Sequence, residues 1–177
     1  MKNTVIKFSI ISSLIMAIGM VITMHFANDI GFDKGELVGY TVMVIAFLMV
    51  FFGVRSYRDK INGEAITFGQ AFKVGGLIAL ISCLVYVGVW LILYYNFMPD
   101  FSDKYAAYAI DQMKSAHKSQ AEIDAAMKEM VHFKELYKNP FINAAITFTE
   151  PLPVALIMAL LSALILKKKK VADTQVV

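Results

Sequence analysis

Four long apolar runs, three before and one after a polar stretch from Asp100 to Asn139, limit this chain more than any other feature. A helix needs about 20 apolar residues to cross a hydrocarbon layer roughly 30 Å thick. The spacing predicts an all-α integral membrane protein with four transmembrane helices, over residues 5–27, 37–54, 73–97 and 141–166. Residues 1–170 read as one membrane domain and 171–177 as a short cytoplasmic tail. Composition agrees, with 58% hydrophobic and 18% charged residues, against about 45–50% and 25% in soluble domains. The formal net charge of +3 implies no nucleic-acid partner. Cys83, alone, excludes an internal disulfide and a multi-cysteine metal site.

The first run competes with a secretory signal peptide, whose apolar core is about 7–15 residues and ends in small residues. Here the run is longer and leaves through Met24-His25-Phe26-Ala27, so it reads as an uncleaved span. Asn28 to Glu36 reads as a short turn. Thr67-Phe68-Gly69-Gln70 has the form of a capping box, which starts the third helix near Phe68. Trp90, Tyr94 and Tyr95 suit an aromatic belt at its far end. Small residues recur every fourth position at Ser9/Ser13/Ala17, Gly75/Ala79/Cys83 and Ala155/Ala159/Ala163, and are expected where helices meet.

The polar stretch carries its own helix signals. Ser102 is the expected N-cap of a first helix, with Asp103 in its first turn. Ser119-Gln120-Ala121-Glu122 is a second capping box. Ile123, Ala126, Met127, Met130, Phe133 and Tyr137 then follow an amphipathic rhythm. Two helices of about 16 and 19 residues, roughly 24–28 Å long, make a helical hairpin over residues 100–139. Asn139-Pro140 reads as a cap with proline at the first helical position of the last span, predicted from Phe141 to Leu166.

Lysine and arginine orient the whole. Lys2, Lys7, Arg55, Arg58, Lys60, Lys73 and Lys167 to Lys170 are ten of the seventeen basic residues and fall on one side. Positive residues are retained in the cytoplasm. Both termini are therefore expected there, and the hairpin outside it.

The order of parts resembles the bacterial membrane proteins grouped as domain of unknown function 4199. The matching stretches are Gly39-Tyr40-Thr41, Phe52-Gly53-Val54-Arg55-Ser56-Tyr57-Arg58-Asp59, Thr67-Phe68-Gly69-Gln70-Ala71-Phe72-Lys73-Val74-Gly75, Tyr94-Tyr95-Asn96-Phe97 and Glu150-Pro151-Leu152-Pro153. The likeness runs from Met1 to about Lys170. It implies a multi-pass protein of the bacterial inner membrane, and no catalytic residue.

Glu150 is the one acid inside an apolar helix. An intramembrane acid is a functional-site candidate by default. The competing reading is a shallow packing acid, about 5 Å below the outer hydrocarbon edge, satisfied by Tyr94, Tyr40 or His25. Arg55, Tyr57, Arg58 and Lys60 suit contact with anionic lipid, and equally a cytoplasmic anchor. Asp29, Asp33 and Glu36 lack the ligand spacing of a calcium loop. His117 and His132 fall roughly 18 Å apart along the hairpin and cannot share an ion. No metal, cofactor or catalytic set is expected. Two functional classes stay open. One is a non-enzymatic binding or structural component acting through its hairpin on a membrane protein partner or a second copy of itself. The other is a small transporter or channel subunit working as an oligomer.

Overall fold

The computed structural model describes residues 1–26 and 31–169. Among them lie seven helices: α1 (Lys2–His25), α2 (Phe32–Lys60), α3 (Phe68–Asn96), α4 (Phe101–Ser115), α5 (Gln120–Tyr137), α6 (Pro140–Thr149) and α7 (Leu152–Leu166). No strand occurs among these residues. The first three helices are each long and apolar enough to cross a membrane. The pair α6–α7 meets the same test only together, bent by 43°. By itself α7 has 15 residues, a rise of about 22 Å and too short to cross. The spans number three, or four with the bent pair taken as one.

The last helix expected from Phe141 to Leu166, with Pro151 and Pro153 expected to bend it, is two helices, α6 and α7. Pro151 and Pro153 have no N–H to continue the ladder, and proline clashes with the turn before it. At the break the Glu150 N–H reaches back to Thr147 O at 3.2 Å, a three-residue step. The second span is longer than expected, running from Phe32 to Lys60. The expected turn at Asn28 to Glu36 is accordingly helical from Phe32 onward, and residues 28–30 lie outside the described residues, as does the tail at 171–177.

Packing runs opposite to that of a water-soluble domain. On α1, Ile10, Leu14 and Ile18 are 54%, 54% and 58% exposed, whereas Ser9 and Ser12 are 1% and 0% exposed. Large apolar side chains lose nothing against lipid, while small ones let helices approach. Residues of α1, α2, α3 and α7 form the main core, with Phe47, Val50, Ile78 and Ala159 inside it. A Cβ on Gly75 would sit 3.1 Å from Val50 Cγ1, 3.2 Å from Val54 Cγ2 and 3.7 Å from the Ala159 backbone. The stripes Gly75/Ala79/Cys83 and Ala155/Ala159/Ala163 are all buried, so the expected contacts are helix seams. Ser9 and Ser13 are buried too, with Ala17 at the seam's edge.

At one end the bundle is clasped. The backbones of Ile66 and Lys168 exchange two hydrogen bonds of 2.9 Å. Arg58 Nη1 donates to Leu166 O at 3.3 Å, which satisfies a carbonyl at the end of α7. At the other end α4 and α5 lie against each other, joined by an ion pair between Lys134 and Asp103. Asp103 holds the Lys134 ammonium above the usual lysine range. The Ser119–Glu122 box is complete, as is Thr67–Gln70. The start of α4 differs from expectation, since its N-cap is Asp100, with no side-chain cap bond. Ser102 instead shares a 2.8 Å hydrogen bond with the Tyr94 hydroxyl, which draws it away from the backbone.

Candidate functional site

Tyr86, Trp90 and Tyr95 all come from α3; the four-residue step sets Tyr86 and Trp90 on one face, and Tyr95 lies further round the helix. Each meets a polar group of the chain that returns from α5. Tyr86 Oη donates to Glu150 Oε2 at 2.8 Å, and Trp90 Nε1 donates to Asn143 Oδ1 at 3.0 Å. Tyr95 Oη donates to Tyr137 O at 2.6 Å. The rungs run antiparallel: as α3 ascends from Tyr86 to Tyr95, the other chain descends from Glu150 to Tyr137. Asn143 Oδ1 also accepts from Thr147 Oγ1 at 3.1 Å. Two donors on that atom fix the amide's orientation, because a flipped amide would set N–H against N–H. Its Nδ2 is buried and finds no partner among the described residues.

Glu150 thus has a definite partner, and it is Tyr86 rather than Tyr94, Tyr40 or His25. Its carboxylate sits at the break between α6 and α7, where the bend carries it out of the regular helix surface. One oxygen is held by Tyr86 and the residue borders a cavity of about 820 Å³. Parts of α1 and α2, Tyr86 and Trp90 of α3, and the α4–α5 pair line that cavity, which stays partly open. Such a volume lies within the roughly 300–1,000 Å³ of small-molecule sites. Aromatic rings dominate its wall. Phe32 stands 5.6 Å from Tyr105 and 5.1 Å from Tyr108, centroid to centroid, tying the start of α2 to α4. Asp33 beside Tyr108 raises that phenol above its ordinary pKa.

Of the aromatic belt expected at Trp90, Tyr94 and Tyr95, Trp90 is drawn into the protein, while Tyr95 stays 40% exposed. Trp90 is 8% exposed and packs edge-on against Phe101 at 5.1 Å, inside protein. The acids of the first turn have also moved in meaning: Asp33 and Glu36 lie on α2 and border the cavity, while Asp29 lies outside the described residues. Arg55, Tyr57, Arg58 and Lys60 occupy the clasped end and are not one open patch. Arg55 and Arg58 both pair with Asp59, at 3.6 and 2.6 Å, and Tyr57 packs against the core. Lys60 is exposed. His117 lies in the turn at φ 54°, and both it and His132 are exposed. Among the described residues no group of three His, Cys, Asp or Glu side chains could hold a metal ion.

A family model described as a protein of unknown function, DUF4199, matches residues 7–168. The chain belongs to the DUF4199 family. No curated protein and no solved structure matches it. The matched range takes in all of α2 to α7 and closes at Lys168, which forms the clasp with Ile66. In this DUF4199 chain the Glu150-Pro151-Leu152-Pro153 stretch is the hinge of the bent pair, and Gly39 borders the cavity. Reading the sequence missed Tyr86 and Asn143 as a site. The signal available was the aromatic spacing at 86, 90 and 94, which marks one helical face.

Proposed function

We propose that this protein is a non-enzymatic bacterial inner-membrane component that binds a small amphipathic molecule beneath an extracytoplasmic helical hairpin, the α4–α5 pair. The observation that carries this reading is the cavity of about 820 Å³ between that pair and the spans. Protein interiors pack to crystal-like density, with few voids larger than a water molecule. A space of this size, walled by rings and methionines and edged by carboxylates, has the composition of a binding site. Positive-inside threading supports the orientation, since the clasped end carries Arg55, Arg58, Lys60, Lys167 and Lys168.

Gly39 offers the test. It borders the cavity, and a Cβ added there would meet nothing within 4 Å. Gly39→Phe should fill the space without displacing the backbone, and should also favour the helix. Wild-type protein released from its own membranes in mild detergent should show small-molecule adducts by native mass spectrometry, and Gly39→Phe should lack them. Identical spectra from the two proteins would defeat the reading.

A transport role is a second reading, and one observation favours it. The buried hydroxyls of Ser9, Ser12, Ser13 and Thr23 on α1 have no hydrogen-bond partner among the described residues. They mark a polar line from the lysine-rich end toward the cavity, which Thr23 borders.

A further inference from the structure

Resting on the cavity being a binding site, we infer that its ligand is an organic cation with an apolar or aromatic body. Four carboxylates border the space: Asp33 and Glu36 from α2, Glu129 from α5, and Glu150 from the α6–α7 break. The one basic group on the wall is Lys134, and the ion pair with Asp103 already engages it. None of the four acids has an ion-pair partner among the described residues. The carboxylates come from three separate parts of the fold and border one partly open cavity, where all four residues stay accessible, so they differ from an acidic face on one helix.

The rest of the wall selects what kind of cation fits. A hydrated metal ion needs several oxygen ligands at close range, and no such group exists among the described residues. Trp90, Tyr86 and Tyr105 instead present rings, whose faces attract a positive charge, tryptophan most strongly. Met16, Met20 and Met130 add soft, adaptable apolar surface. An anionic ligand would meet four like charges, and a neutral apolar one would leave four carboxylates to be desolvated without return. A quaternary or protonated amine, or a phosphonium, on an apolar body answers both features at once.

Trp90 is the single tryptophan of the chain and lies on the cavity wall, so its fluorescence reports the site directly. The probes are tetraphenylphosphonium and tetraphenylborate, alike in shape and opposite in charge. Full-length protein in nanodiscs of zwitterionic lipid is titrated with each, with Gly39→Phe discs as the blank for partition into lipid. The expected result is a saturable change with the phosphonium only, absent in the blank. Glu36→Gln and Glu129→Gln should each weaken it by roughly tenfold, the scale of one charge contact across several ångströms of protein. These two acids stand on different helices, and a thermal unfolding midpoint checks the folding of each variant. Saturation by both probes with equal affinity, or by the borate alone, would overturn the cation assignment and leave the cavity reading standing. Phosphonium binding that neither variant weakens would overturn it equally. No response to either probe, with adducts still present on the native protein, refutes the cation; with adducts also absent, the binding reading goes too.

Discussion

Glu150 shows how one residue's meaning depends on what stands opposite it. A carboxylate that accepts a hydrogen bond from a tyrosine can be held for its shape or for its charge. Glutamine keeps an acceptor oxygen for Tyr86 and nearly the same volume. Leucine removes the acceptor and leaves the phenol hydroxyl bare, which costs about 1–3 kcal/mol in a buried setting. If Glu150 is a packing acid, Glu150→Gln should unfold in detergent at the wild-type temperature and Glu150→Leu clearly lower. A transport role makes a different demand, because an amide cannot exchange a proton. Cation-dependent flux in proteoliposomes, abolished in a stable Glu150→Gln, would move the balance to transport. Asn143 contrasts with it at the same scale. Its role is architectural, holding the Trp90 indole and the Thr147 hydroxyl on one oxygen.

At the scale of elements, the start of α5 is the most explicit local instruction in the chain. Ser119 Oγ accepts from the Glu122 N–H at 3.3 Å, and Glu122 Oε2 accepts from the Ser119 N–H at 2.9 Å. That backbone N–H, then the Ser119 hydroxyl, then Lys118, lower the Glu122 carboxyl from 4.5 to about 2. A lowered folded-state pKa gives stability that is present above the unfolded value and lost as pH falls through the folded one. Protection of the amides in the first turn of α5, relative to their intrinsic exchange rate, should therefore fall as pH drops from 4.5 to about 2. Ser119→Ala should cost about 1 kcal/mol of local protection at neutral pH. Unchanged exchange at Ile123 and its neighbours in that variant would refute the box as a stabilising device. Caps of this kind are legible in sequence because donor and acceptor are three residues apart, as at Thr67–Gln70 too. Ser102 was misread for the opposite reason. Its partner, Tyr94, lies across a turn, and a hydroxyl takes whichever partner the packing brings near. The break at Glu150 was half legible: the prolines announced a bend, while the Tyr86 that fills it is 64 residues away.

Across the whole molecule, the long apolar runs and the small-residue stripes carried most of the architecture. Each depends on spacing along one helix, which sequence displays directly. The cavity did not show, because its wall is assembled from five helices and the α6–α7 break, and no local pattern records an empty space. The orientation proposed above rests on the asymmetry of lysine and arginine, and it can be tested. In a Cys83→Ser background, single cysteines at Ser56, Ser115 and Thr174 should react differently with an impermeant thiol reagent on intact cells. Only the one at Ser115, at the end of α4, should label. Labelling at Ser56 or Thr174 instead would turn the protein over.

The clasp between Ile66 and Lys168 bears on the order in which the molecule can be assembled. Its two halves are about a hundred positions apart, and the second cannot exist until synthesis has reached residue 168. Until then the faces of α2 and α3 around Gly75 and Ala79 lack the α7 residues that cover them in the folded protein. The 15 residues of α7 are too few to hold a place across the bilayer unaided. Their place is set by the contacts they make with α2 and α3, and the clasp can form only after α7 has been made.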